Sequence, residues 1–261
     1  MKLIEKTDHS KKVYFIPLGD IHLGAKGVNL NKLRGYIDWI KNTSNAYTFL
    51  MGDVFDVATL TSASNPHYSA MNLNEAIRLA YDLFSPIKSK ILGGIAGNHE
   101  ERLERFAGFN PLQTFCETLN IPYAGYSAVI RFRVGTFKRK SGMISPMVEY
   151  IFFAHHGTGS GTTLGGKLNR AVKLEEMFEG ADVYLIGHLH SKTLGEKSVA
   201  YLSKSGNGRA TIKYKRISFV DSGSFLEYDG SYAEEKMLAP STTGAVRFLL
   251  DGTRKDLHIS Y

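Results

Sequence analysis

The chain has 261 residues, enough to bury a sizeable core, and its 43% apolar and 22% charged residues exclude a disordered, collagenous or coiled-coil chain. No run approaches the roughly 18 apolar residues of a membrane helix, and Met1-Lys2-Leu3-Ile4-Glu5-Lys6 lacks the apolar stretch of a secretory signal. Cys116 is the single cysteine, so the expectation is a protein of the reducing cytoplasm with no membrane, while a net charge of +7 points to an anionic partner.

Residues 13–18 read as a buried strand stopping at Gly19-Asp20. Over 29–43, Leu30, Leu33, Ile37 and Ile40 fall on one helical face. A second strand, 47–51, stops at Gly52-Asp53. A helix over 72–84 buries Leu73, Ile77, Ala80 and Phe84, and a third strand, 87–95, stops at Gly97-Asn98. Residues 99–118 read as helical with a break near Asn110-Pro111. The second half predicts strands at 128–138 and 147–154, joined by the turn Lys140-Ser141-Gly142. A glycine-rich stretch over 157–166 leads into a helix at 168–179, and a strand at 183–186 stops at Gly187-His188. Only strand-like runs follow, at 196–204, 211–220, 245–250 and 256–261. With no repeat and no clear linker, the order βαβα and then β-rich predicts one α/β domain over 1–261 with two sheets.

The chemistry sits at the strand ends. Asp20-Ile21-His22, Gly52-Asp53-Val54-Phe55-Asp56, Gly97-Asn98-His99-Glu100, His155-His156-Gly157 and Gly187-His188-Leu189-His190 each follow a predicted strand. Open α/β sheets gather their sites at the carboxyl ends of strands, so these segments converge although they are distant in sequence. Six of the nine histidines lie in them, which five unrelated turns would not produce. Asp, His and Asn without thiolate suit Mn, Fe, Zn or Co. The donors are too many for one ion, and a carboxylate between two groups of imidazoles is a natural bridge for a metal pair about 3.5–4 Å apart.

In this order, Asp-x-His, Gly-Asp-x-x-Asp, Gly-Asn-His-Glu, a later His and Gly-His-x-His resemble the calcineurin-like metallophosphoesterases, over residues 13–190 and with Asp221-Ser222-Gly223-Ser224 extending the match. The resemblance implies a four-layer αββα sandwich with two mixed β-sheets and a dinuclear metal site at the C-terminal strand edges. It implies that Asp20, His22 and His190 hold one divalent ion and that Asn98, His188 and one of His155 and His156 hold the other, with Asp53 bridging. His156 is preferred, because close backbone packing is the natural reason for a glycine directly after a ligand. Mn²⁺ is the first expectation for the ions, with Fe, Zn, Co or Ni as alternatives. The resemblance also implies phosphodiester or phosphomonoester hydrolysis by a metal-bridging hydroxide, with His99 as general acid and Asp56 orienting its ring. Two other readings stand beside it: a DNA or RNA nuclease of the same superfamily, favoured by the basic balance, and a non-catalytic metal- and nucleic-acid-binding protein.

Secondary features follow from composition. The stretch 157–166 could bring backbone N–H groups to a phosphate or be a plain surface loop. Arg131-Phe132-Arg133, Phe137-Lys138-Arg139-Lys140 and Lys213-Tyr214-Lys215-Arg216 interleave cations with aromatics, as nucleic-acid surfaces and solvated strand faces both do. Residues 59–70, with His67, could form a rim over the metals. Arg102 and Arg105 could reach a phosphate or pair with Glu101 or Glu104 on their helix.

Overall fold

A computed structural model of the chain describes residues 1–57, 69–135, 146–159, 163–204, 210–229, 234 and 240–261. The first half runs β1 (Lys2–Asp8), β2 (Lys12–Leu18), α1 (Leu30–Asn42), β3 (Ala46–Leu50), α2 (Leu73–Phe84), β4 (Ile91–Gly94), α3 (Asn98–Ala107) and α4 (Pro111–Leu119). The second half continues with β5 (Ser127–Val134), β6 (Val148–His155), α5 (Leu164–Val172), α6 (Leu174–Met177), β7 (Val183–Ile186), β8 (Leu194–Lys204) and β9 (Ala210–Asp221). It ends with the short pair β10 (Gly223–Ser224) and β11 (Gly244–Ala245), then β12 (Arg247–Asp251) and β13 (Leu257–Ser260).

Two mixed sheets result. One has the order β13-β12-β2-β3-β4, the other β1-β5-β6-β7-β9-β8. Strands β2, β3 and β4 are parallel, as are β6, β7 and β9, so the loops after each group leave from a common edge. Alternation along β2 assigns its faces. Val13 and Phe15 join Phe132, Phe152 and Phe248 in a core between the sheets, with Phe15 5.0 Å from Phe152 ring to ring. Ile16 and Leu18 pack under α1, α2 and α4 with Leu33, Ile37, Ala80 and Phe115. On the outer face of the other sheet, Phe153, Tyr184 and Phe219 pack against Ala171 and Leu174 of α5 and α6. The layers are therefore helix, sheet, sheet, helix, as the resemblance implied.

Several elements differ from the sequence reading. β1 was not anticipated; it is an edge strand with charged, mostly exposed side chains around a buried Ile4. The strand expected over 87–95 is confined to Ile91–Gly94, because Ser85–Lys90 forms a 3-10 turn that Pro86 initiates. The helix expected at 168–179 begins earlier, where Thr163 accepts a hydrogen bond from Gly166 N, and it is split at Lys173. The turn at Lys140-Ser141-Gly142, the Phe137-Lys138-Arg139-Lys140 run and His67 lie outside the described residues.

Candidate metal centre and active site

Asp20 and His22 follow β2, Asp53 and Asp56 follow β3, and Asn98 and His99 open α3 after β4. From the other sheet, His156 follows β6, and His188 and His190 follow β7. The loops are tied together before any side chain is considered. Asp20 N donates to Gly52 O (3.1 Å), and Ile21 N and His22 N both donate to Asp53 O (2.9 Å each). Gly97 is required at this junction: a Cβ there would stand 2.1 Å from Asp53 Oδ1. Gly52 has φ +88°, and a Cβ on it would meet Gly97 N at 2.6 Å and His156 Nδ1 at 2.7 Å.

The donor atoms form adjoining clusters. Asp20 Oδ1 lies 3.3 Å from His190 Nε2 and 3.9 Å from His22 Nε2, and the two imidazole nitrogens are 3.2 Å apart. Asp53 Oδ2 lies 3.2 Å from His156 Nε2, 3.8 Å from His22 Nε2 and 4.0 Å from His99 Nε2. Asp20-His22-His190, His22-Asp53-His99 and Asp53-His156-His188 each have ligand atoms within 4.8 Å of one another. Asn98 Oδ1 joins the last group, 3.1 Å from His156 Nε2. Asp20 Oδ1 is buried and accepts no hydrogen bond, an orphan of the kind a cation satisfies. The set of carboxylate, imidazole and amide donors fits divalent ions of the Mn, Fe, Co or Zn type.

The structure separates the adjacent histidines. His156 is buried, its Nδ1 donates to Met51 O at 2.8 Å, and its Nε2 faces Asp53 and Asn98. His155 is outside every donor cluster; its Nδ1 accepts Gly157 N at 2.8 Å. The last residue of β6 and its successor point to opposite sides of an extended chain, so only one of the pair reaches the site.

Backbone conformation sets the donors apart from the rest of the fold. Asp20, His22, Asp53, His188 and His190 all have φ between 47° and 69°, and among the described residues Asn120, which caps α4, is the sixth non-glycine residue with positive φ. Each such position costs about 1 kcal/mol or more, and strain of this kind gathers at functional sites.

Charges reinforce the arrangement. Burial would raise the Asp53 carboxyl, but the His156, His99 and His22 imidazoles outweigh it and hold Asp53 well below the usual range. Burial would lower His156; Asp53 and Asp20 reverse this and push it up to about 10, so an ion binding there displaces a proton. His99 likewise sits above its ordinary value, because Asp53 and Asp56 outweigh its burial. Its Nδ1 is 3.0 Å from Asp56 Oδ1, and its backbone N donates to Asp53 Oδ1 at 2.9 Å.

Sequence reasoning missed two supports. Glu100 is buried, and its carboxylate accepts hydrogen bonds from Gly97 N (2.9 Å), Asp53 N (3.0 Å), Val54 N (2.8 Å) and Phe55 N (3.0 Å). The only sequence signal was its place in Gly-Asn-His-Glu. Behind Asp20, Ser224 Oγ donates to Asp20 O at 3.0 Å, and Ser191 Oγ donates to the buried Asp221 carboxyl, which burial pushes well above its ordinary value. Arg102 donates to Val57 O at 2.8 Å and braces the segment after Asp56, whereas Arg105 pairs with Glu101 on the helix surface. Much of the cation–aromatic interleaving is internal: Arg131 pairs with Glu5 and Glu149, and Lys215 with Asp182.

The family model described as calcineurin-like phosphoesterase matches residues 14–192, a span that contains every donor named above. No curated protein sequence matches the chain. Solved structures with a similar chain course include the nuclease MPE of Pseudomonas putida, at 12% identity and TM-score 0.38, covering 94% of this chain and 87% of that one. The NAD nucleotidase NadN of Haemophilus influenzae is similar at 11% identity and TM-score 0.38, covering 96% of this chain and 49% of that one. Vps29 of Chaetomium thermophilum follows at 12% and 0.31, covering 80% and 97%. With the family match spanning most of the chain and each of its donor-bearing loops, the protein belongs to the calcineurin-like phosphoesterase family.

Proposed function

We propose that the protein hydrolyses phosphodiester or phosphomonoester bonds with two divalent metal ions, Mn²⁺ first among them. The observation that carries this reading is the shared carboxylate: Asp53 Oδ2 faces His156 on one side and His22 on the other, and His22 in turn faces Asp20 and His190. Asp20, His22 and His190 would hold one ion, Asn98, His156 and His188 the other, and Asp53 both. Bound cations would supply neutralisation of the phosphoryl oxygens and a water acidic enough to be a nucleophile near neutral pH.

The chain's own residues supply the rest. His99 carries a proton on Nε2 toward the leaving oxygen and keeps its Nδ1–H on Asp56. Because the Nδ1–H stays on Asp56 before and after the Nε2 proton leaves, the same contact holds the ring in both states. With Asp53 engaged as a bridging ligand, Asp56 would be the carboxylate left to sustain that proton. His99 N on Asp53 Oδ1 fixes the acid relative to the bridge.

The test is a hydrolysis panel with added Mn²⁺: a nitrophenyl monoester, its bis-diester, cyclic nucleotides, and single- and double-stranded DNA. Metal-dependent turnover of at least one ester, abolished by a chelator, is expected. A chain loaded with metal that turns over none of them would overturn the catalytic reading and leave a binding protein.

A further inference from the structure

A cleft of about 400 Å³ lies between α1 and β12, lined by Tyr36, Trp39 and Arg247, with Asn31 and Lys32 from the first turn of α1. That is the size of a small-molecule site. Among the described residues no Asp or Glu side chain lines it. The Arg247 guanidinium stands over the Trp39 ring at 5.5 Å, so the cleft offers a stack of aromatic and guanidinium planes.

The cleft is tied to the metal centre through the β10–β11 pair. Ser224 of β10 is bonded to Asp20, and Tyr36 Oη donates to Ala245 O of β11 at 2.9 Å. Two lysines lie against this pair. A Cβ on Gly244 would meet Lys32 Cε at 3.4 Å, and a Cβ on Gly223 would meet Lys192 Cγ at 3.1 Å. Lys192 follows His190 by two residues and donates to Thr243 O at 3.5 Å. Both lysines thus flank the strand pair that carries Ser224, and Lys32 also lines the cleft. Two cations along that pair and an acid-free aromatic cleft beside it are complementary to one ligand chemistry: a phosphate attached to a flat ring.

We propose that this region is a subsite for the nucleotide adjoining the scissile phosphoester, with Lys192 and Lys32 on its phosphate and the Tyr36–Trp39–Arg247 cleft around its base. The proposal rests on the phosphoesterase reading and narrows its substrates to nucleic acid strands or dinucleotides, because only these carry a further nucleotide next to the scissile phosphoester. Stacking on aromatic and guanidinium planes makes such a subsite tolerant of base identity.

Trp39 is the single tryptophan of the chain, so intrinsic emission reports on the cleft without turnover. The full chain is titrated with a phosphorothioate-linked thymidine trinucleotide, with thymidine monophosphate and with inorganic phosphate. A saturable emission change is expected with the trinucleotide, at least tenfold weaker binding of the monophosphate, and no change with inorganic phosphate. Lys32 and Arg247 are exposed, so Lys32→Glu and Arg247→Glu are compatible with folding, and each should raise the trinucleotide Kd about tenfold. No saturable change, or unchanged affinity in both variants, overturns the subsite. A monophosphate that binds as tightly as the trinucleotide also overturns it, in favour of a free-nucleotide site. Hydrolysis of nitrophenyl esters with a silent Trp39 sinks the subsite alone, whereas trinucleotide binding without hydrolysis of any ester sinks the catalytic reading.

Discussion

Asp56 Oδ1 stands 3.0 Å from His99 Nδ1 and also 3.7 Å from His22 Nδ1. One carboxylate therefore stands behind both the proposed acid and a proposed ligand, and this links proton transfer to metal affinity through a single residue.

Asp56→Asn should accordingly have two effects. It should weaken metal binding about tenfold, in the range of an outer-shell partner of a ligating histidine. It should also slow esters with poor leaving groups more than nitrophenyl esters. His99→Asn should lose about 10²–10⁴-fold on a nucleotide ester, far less on a nitrophenyl ester, and keep both metals. Paired kinetics with metal analysis checks both. Equal losses on the two esters, or an ion lost from the His99 variant, would make His99 a ligand or a positioning group.

Asp53→Asn removes the charge shared by the two donor groups while keeping an oxygen for His99 N. Turnover should fall to background, and elemental analysis after reconstitution should find fewer than two ions per chain. Near-normal metal content with near-normal rate would refute the bridge.

The histidine pair should separate cleanly. His156→Ala deletes a ring that faces Asp53 and Asn98, so metal content should drop. His155→Ala removes only an acceptor for Gly157 N and should keep both ions. The reverse pattern in metal analysis would move the ligand role to His155.

Glu100→Gln replaces a buried carboxylate that accepts four backbone N–H groups with an amide that has one acceptor oxygen. Donors left facing an NH₂ group should destabilise the fold by about 2–4 kcal/mol. At about 2–4 °C per kcal/mol for a chain of this size, the thermal midpoint should fall by roughly 4–16 °C. A midpoint within about 1 °C of the parent would show that these bonds contribute little.

Tyr47→Phe tests a bond between the sheets. Tyr47 Oη donates to Asp8 Oδ2 at 2.6 Å, and this bond and those from Ser10 outweigh burial to hold the Asp8 carboxyl below its ordinary value. A depressed folded pKa stabilises above the unfolded value near ~3.9 and is lost as pH falls through the folded value. The variant should therefore be about 1 kcal/mol less stable at pH 7, and the difference should shrink as pH falls through the folded Asp8 value. Urea denaturation at pH 7 and at successively more acidic pH decides it, and a pH-independent difference would sever the effect from Asp8.

The candidate site was more legible than its supports. The proposed donors stand out because metal chemistry restricts residue type and the strand ends restrict place, so Asp20, His22, Asp53, Asn98, His188 and His190 could be named as candidates before any geometry, and the structure brings their side chains together. Glu100 acts on backbone amides that carry no sequence signature, and its role appears only when the loops after β3 and β4 are seen side by side. β1 was hidden because Lys2, Glu5 and Lys6 mask an alternating edge strand whose pairing with β5 is long-range. The strand over 87–95 was overread because an apolar run cannot distinguish a 3-10 turn from extended chain.

The left-handed backbone at Asp20, His22, Asp53, His188 and His190 narrows what each position tolerates. Glycine would take these angles more cheaply but would bring no donor atom, and a β-branched residue would meet them at a steric cost and bring none that fits. Asp, Asn and His are the residues that combine a donor atom with tolerance of this conformation. Substitutions at these five positions should therefore be confined to exchanges among those three, so the shape of the loops limits the composition of the site as strictly as its chemistry does.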